Sequence, residues 1–344
     1  MYIEVSMQAM VLKAPGELAL DKVTTPAGGA GDVLVRITHT GLCGTDLKIY
    51  NGAIPVTYPR IMGHEIAGEV VESNGAGGIR RGDRVVIDPV VFCGACFHCR
   101  NGQTNLCPTG SLIGRDSDGG FAEYAAVPAS HVFRLPQSVD MRTAPLIQVA
   151  TTCLHGQRRT PLFVGESVAV VGLGVSGQLH VQLAKARGAG TVIGISRSPF
   201  KREMAKAMGA DVTIESGPAA LRKVLDATAG RGADVVIEST GVMASLAEAI
   251  RMARVGGHLL LFGISSAKEG ALPFYDLYFK ELTLTNGRAA KAEDFPAMIE
   301  LLERGAVRLE PLVTHRMSLG ELETALGMVE DGEDGRLKII LDHT

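Results

Sequence analysis

The spacing of apolar positions changes once along the chain. Through about residue 135 they fall in short runs, DVLVRITHT, GEVVES, GDRVVIDP and FAEYAAV, broken by Gly, Pro, Asp and Asn. Short half-buried strands between turn residues predict an irregular all-β domain. From Glu166 the runs differ: SVAVVGLG is a continuous apolar strand, GQLHVQLAKARGA has a helical period, and TVIGIS is a second buried strand. That succession predicts a βαβ unit. Helices KREMAKAMGA and LRKVLDATAG, strand ADVVIES, helix MASLAEAIRMARV and strands GGHLLLFG and ELTLTNG follow, which extends the unit into a parallel, doubly wound sheet of the α/β class. After about Arg288 come helix FPAMIELLERG, strand LVTHRMSL, helix GELETALGMVEDG and strand LKIILD. This last stretch is expected to return to the first domain.

At 344 residues two domains are expected. Charged residues are 21% and the formal net charge is -3. No basic surface points to nucleic acid, so a small metabolite is the expected partner. No apolar run reaches 18 residues, and the N-terminus lacks a basic start and a small-residue cleavage site, so a cytoplasmic protein is expected, with no membrane partner. The 42 glycines are not periodic and must serve turns and close approaches.

Gly172-Leu173-Gly174-Val175-Ser176-Gly177 follows a strand and opens a helix. In a dinucleotide turn the first glycine permits the bend, the second lets backbone approach a pyrophosphate, and the third lets helix and strand pack. The phosphates would rest on the helix's first amides. Where an acidic residue would bind the ribose of NAD, the sequence has Ser196-Arg197-Ser198 followed by Lys201. A hydroxyl and a guanidinium suit a 2′-phosphate, so NADP is expected over NAD.

Six cysteines stand at 43, 93, 96, 99, 107 and 153. The four from Cys93 to Cys107 fall within fifteen residues, as Cys93-x2-Cys96-x2-Cys99-x7-Cys107. Four soft thiolates close a tetrahedral shell, so this loop is expected to hold a structural zinc. Cys43 in GLCGTD and His64-Glu65 in GHE form a second, dispersed set.

G-x-C-G-T-D at 41–46, G-H-E at 63–65, the four-cysteine loop at 93–107 and GLGVSG at 172–177 occur in the order found in the zinc-containing medium-chain dehydrogenases, which the chain resembles over nearly its whole length. CGTDLKIY and PLIQVATTCLHG are similar to the polyol, threonine and sugar dehydrogenase branch. The resemblance implies a GroES-like irregular β-barrel catalytic domain over 1–151 and 289–344, and a Rossmann dinucleotide domain over 152–288. It implies hydride transfer between an alcohol and NADP or NAD, with one catalytic and one structural zinc per chain. Cys43 and His64 become catalytic zinc ligands, and Thr45 the hydroxyl beside the substrate oxygen. The usual third cysteine or glutamate is replaced here by Gln148, a neutral ligand, with Glu65 close or exchanging; Cys153 is the rival. Lys48 stands where a relay histidine is common. Thr152, Thr240, Gly263 and Ile264 match positions lining the dinucleotide, beside Gly172 to Gly177. A homodimer or homotetramer is implied by analogy. Rival readings are a zinc-independent quinone or enone reductase, which the metal ligands oppose, and an NADPH-binding sensor without turnover.

Overall fold

A computed structural model describes residues 5–73, 77–332 and 335–343. It divides into two compact units, the first formed by Met1–Val149, Lys291–Glu303 and Leu309–Thr344, the second by Ala150–Ala290 and Arg304–Arg308.

In the first unit the strands run in the order Val132–Arg134, Arg84–Ile87, Glu65–Ser73, Asp32–Gly41, Lys338–Asp342 and Val313–Ser318, with Tyr124–Pro128 also paired to Asp32–Gly41. A smaller sheet joins Glu17–Thr24, Ser6–Ala14 and Arg60–Ile61. The inward positions Val33, Val35, Ile37, Ile66, Val70, Val85 and Ile87 are almost wholly buried and form the barrel core. A second cluster packs Leu42, Ile49, Met62, Phe121, Leu322 and Ile339 together. It includes Leu42, which precedes Cys43, and Met62, two residues before His64, so the two site loops are anchored by core side chains. Near the end of the described residues, Lys338–Asp342 pairs antiparallel with Asp32–Gly41.

In the second unit six parallel strands run in the order Val212–Glu215, Thr191–Ser196, Ser167–Val171, Ala233–Glu238, Ala253–Leu261 and Thr283–Asn286. Numbered along the chain this is 3-2-1-4-5-6, the order of a doubly wound dinucleotide fold. Every residue of Ser167–Val171 and of Ala233–Glu238 is buried, as central strands covered on both faces require.

Several boundaries shift from the sequence reading. The strand at GEVVES starts earlier, at Glu65, and the helix at MASLAEAIRMARV stops at Met252, because Ala253 to Val255 are drawn into the next strand. Strand Val212–Glu215 and helices Gly44–Tyr50 and Phe274–Phe279 add elements the patterns did not resolve. Among the described residues no helix is long and apolar enough to cross a membrane.

Asp88 follows the strand Arg84–Ile87 and is 2% exposed. Its Oδ1 accepts from the Val90 amide at 3.0 Å. Burial, with the negative charge of Asp294 behind it, pushes its pKa up to about 7. A carboxyl that keeps its proton in the fold but releases it when unfolded makes stability fall as pH rises from about 4 to about 7. Asp88→Asn retains the acceptor and removes the titration. Its stabilising effect should therefore be larger at pH 8 than at pH 5, by about 2.5 kcal/mol, and the rise in thermal midpoint correspondingly greater. Melting curves of the two proteins at both pH values test this; an equal difference at the two would refute it.

Candidate functional site

Cys43 closes the loop after strand Asp32–Gly41 and caps the seven-residue helix Gly44–Tyr50. His64 sits in the turn between Arg60–Ile61 and Glu65–Ser73. Ligand atoms of Cys43, His64 and Glu65 all lie within 4.8 Å of one another. One further residue ties the two loops together. Asp46, wholly buried, accepts from the Cys43 amide through Oδ2 at 2.9 Å and places Oδ1 3.2 Å from His64 Nδ1. A carboxylate behind a ligating imidazole fixes the ring and leaves its other nitrogen free for a metal.

Electrostatics agree with that arrangement. Burial opposes ionisation of the Cys43 thiol, but the hydrogen bond and charge of His64 lower its pKa. Burial likewise opposes the imidazolium, yet Asp46 and Cys43 hold the His64 pKa well above the usual imidazole range. A cation belongs in this cluster, and a metal would take the place of the imidazole proton.

Glu65 is buried and both its oxygens are engaged by the buried ammonium of Lys338, at 2.7 and 2.8 Å. Gly41 pairs with Glu65 across the sheet, and a Cβ at Gly41 would collide with Glu65 Oε2. Thr45 and Lys48 lie one turn apart on the helix Gly44–Tyr50, both half-buried. Gln148, 8% exposed, is near the start of the helix Leu146–Arg158, which also carries Thr152 and Cys153. The Cys153 thiol donates to the Ser176 carbonyl at 3.8 Å, the contact of a buried thiol packed inside the second unit.

The four-cysteine loop is a separate cluster. Its sulfurs lie within 4.8 Å of one another, with Cys96 3.5 Å from Cys99 and 4.0 Å from Cys107, and Cys93 3.9 Å from Cys99. Four sulfurs each about 2.3 Å from one centre stand about 3.8 Å apart, so the donor set fits tetrahedral zinc. Amides of Cys96 and Cys99 donate to the sulfurs of Cys93 and Cys96 at 3.4 and 3.5 Å. Amides of Ala95 and Cys96 hold the Cys93 thiol down to about 6, whereas burial and the neighbouring Cys96 push Cys99 up to about 12. Without a cation, four thiolates cannot all ionise side by side.

In the second unit the cleft at the turn is about 390 Å³ and is bordered by Gly172, Leu173, Gly174, Ser196, Arg197 and Lys201, smaller than a cavity of about 460 Å³ elsewhere. The larger cavity belongs to the first unit, bounded by Val11, Arg60 and Tyr124. Gly172 has φ +93°, and a Cβ there would lie 2.5 Å from Thr240 Cγ2; one at Gly177 would strike the Gly172 carbonyl. A Cβ at Gly174 would meet nothing within 4 Å, which leaves the open approach a phosphate needs. Ser216 and Ser245 also border the cleft, and the sequence reading missed both. Glu238 holds the adjoining turn, accepting from the Thr240 amide at 2.8 Å and from the Gly241 amide at 3.1 Å. Thr240 borders the cleft, whereas Gly263 packs its backbone against Gly241 and Ile264 is 81% exposed.

Asp46 carried one usable signal, a carboxylate three residues after a helix-capping position. Lys338 carried none beyond a cation in an apolar strand.

A barrel bearing two zinc-compatible clusters, joined in one chain to a 3-2-1-4-5-6 sheet, defines a two-domain metal- and nucleotide-dependent dehydrogenase. Residues 29–137 match the family model of the alcohol dehydrogenase GroES-like domain, and residues 176–304 match that of the zinc-binding dehydrogenases. The chain is 36% identical to an L-threonine 3-dehydrogenase of Pyrococcus horikoshii, over 97% of this chain and 99% of that protein. It is also similar to a solved alcohol dehydrogenase of Escherichia coli CFT073 complexed with NADH (TM-score 0.92, 30% identity, 99% and 100% of the two chains). A zinc-binding dehydrogenase structure from Sinorhizobium meliloti 1021 bound to NADP gives TM-score 0.91 and 32% identity, over 99% and 100%. The chain belongs to the zinc-binding alcohol dehydrogenase family, and it is an oxidoreductase.

Proposed function

We propose that the enzyme transfers a hydride between NADP and the carbinol carbon of a secondary alcohol, polyol, sugar or amino-alcohol, and reduces the corresponding carbonyl in reverse. The observation that carries this is the convergence of Cys43, His64 and Glu65 within 4.8 Å, in the same chain as the Gly172–Gly177 turn. When bound, zinc supplies a Lewis acid toward the substrate oxygen and the nicotinamide supplies the redox chemistry. Cys43, His64 and neutral Gln148 hold the catalytic metal, and Asp46 fixes the His64 ring. The Thr45 hydroxyl accepts the substrate's hydroxyl proton by hydrogen bond, with Lys48 on the same helix face. Cys93, Cys96, Cys99 and Cys107 hold a structural zinc. On this reading residues 1–151 and 289–344 form the catalytic domain, and 152–288 the dinucleotide domain with Thr152 at its start. Gly263 and Ile264 contribute to the dinucleotide site as the turn backing Gly241.

The cofactor preference rests on residues 196–201, because relatives of the same fold are seen with NADH in one case and NADP in another. Among the residues bordering the cleft at this strand end, Ser196, Arg197 and Lys201 are polar or cationic and none is acidic. Arg202 is committed elsewhere, donating to the Ser196 and Arg197 carbonyls at 2.8 Å, whereas Arg197 and Lys201 border the cleft where a phosphate would lie. The enzyme is a homodimer or homotetramer: Phe274, Tyr275, Tyr278 and Phe279 are each more than 60% exposed beside the open edge strand Thr283–Asn286, an apolar area of the kind that self-associates.

A screen of polyols, aldoses, secondary alcohols and threonine with each cofactor, with metal content measured alongside, tests the reading. NADP-linked turnover should be lost with the catalytic zinc, and turnover unaffected by its removal would refute the mechanism. Arg197→Ala should reduce the NADP to NAD preference by about tenfold, the worth of one charge-assisted hydrogen bond.

A further inference from the structure

We propose that Lys338 is a positioning residue that holds Glu65 out of the catalytic metal shell and so keeps the substrate's coordination place open. This rests on the reading of Cys43, His64 and Gln148 as metal ligands.

Lys338 is 4% exposed, and its ammonium sits 2.7 and 2.8 Å from the two Glu65 oxygens and 3.1 Å from the carbonyl of Leu42, the residue before Cys43. An ammonium has three protons, and the three acceptors match that number. Glu65 in turn has both oxygens occupied, yet one of them lies within 4.8 Å of the Cys43 sulfur and a His64 ring nitrogen. A small side-chain movement would carry that oxygen from its present partner toward an ion held by Cys43 and His64. Gly41 supplies the space in which the carboxylate rests beside Lys338, since a Cβ there would collide with Glu65 Oε2.

Charge gives the arrangement its purpose. The buried anions are the Cys43 thiolate and the carboxylates of Asp46 and Glu65; a divalent metal and Lys338 supply an equal positive charge when the imidazole is neutral. Removing the lysine charge leaves Glu65 as an unpaired buried anion, which is strongly unfavourable, and the metal becomes its nearest cation. The pull is greater in this chain than in a site with two thiolates, because Gln148 brings no charge to the shell. A carboxylate ligand in the fourth place would exclude the substrate oxygen from it.

The test loads the Cys43 site with cobalt(II) and follows its visible spectrum, with Cys43→Ser as the blank for the four-cysteine site. It also times zinc release from the same site into a chelator. Lys338→Met should weaken the d–d bands, as an added ligand does, and slow zinc release by about tenfold, within the range of outer-shell effects on metal affinity. Adding Glu65→Gln to Lys338→Met should restore both to wild-type values. Lys338→Gln, which keeps volume and a donor toward Glu65, should shift both measurements in the same direction by less, and it carries the test if the methionine variant does not fold. Unchanged spectrum and release rate in the Lys338 variants would overturn the proposal, as would a double variant that keeps the altered spectrum. If wild type shows no thiolate-to-cobalt band that Cys43→Ser removes, the metal reading itself fails. If that band is present but insensitive to Lys338, only the present proposal fails.

Discussion

Cys43→Ser should yield a folded protein that retains one zinc per chain in place of two and turns over at least about a thousandfold more slowly. A serine hydroxyl stays protonated at neutral pH and is a poor ligand, so on the ligand set proposed above only His64 and a neutral Gln148 would be left to hold a dication. Lewis-acid stabilisation is worth several kcal/mol, and each 1.36 kcal/mol is tenfold in rate. The core side chains behind the site, Leu42, Ile49, Met62 and Phe121, are untouched, so the melting midpoint should move little. Metal analysis with steady-state kinetics checks it: two zincs per chain with turnover within tenfold of wild type would contradict the assignment.

Cys96→Ser acts on the other cluster and should have the opposite profile. Cys96 sulfur stands 3.5 Å from Cys99 and 4.0 Å from Cys107, and its loss removes a charge and a corner of the tetrahedron. Most of the loop is exposed or half-buried, with Phe97 73% exposed, so little apolar burial holds it without metal. Structural zinc binding in small modules amounts to about 10–16 kcal/mol and is itself the folding energy. Amide protection and protease resistance within 93–107 should therefore fall by roughly a thousandfold or more, while the opening stays local and the barrel core remains closed. Hydrogen exchange read residue by residue, with zinc stoichiometry, decides it. Full protection of the loop in a protein holding only the other zinc would count against a structural metal there.

What the sequence disclosed follows from the range of the interactions involved. The parallel sheet was legible because its central strands are buried on both faces, so SVAVV and ADVVIE read as unbroken apolar runs. The cysteine loop and the glycine turn are local spacings, complete within fifteen residues and six. The seven-residue helix Gly44–Tyr50 was too short for a helical period to show, and Val212–Glu215 is a four-residue edge strand with one fully buried side chain. Phe274–Phe279 escaped notice for another reason: its aromatic residues face outward, where burial imposes no pattern. The roles proposed for Asp46 and Lys338 rest on contacts, and the Lys338–Glu65 pair spans 273 residues of chain. No local pattern encodes a partner that distant.

That last strand also sets an order of events. The four-cysteine loop closes on neighbours and is complete as a donor set once residues 93–107 exist, since a short loop costs little to close. The Cys43 site has to wait: Lys338 meets Leu42 across 296 residues, and contacts of such separation form late in folding. During synthesis from the N-terminus, then, Cys43, His64 and Glu65 are exposed to cellular metal before their lysine arrives. On the positioning role proposed for Lys338, a chain ending before that residue would leave Glu65 without the ammonium that holds it in the finished fold.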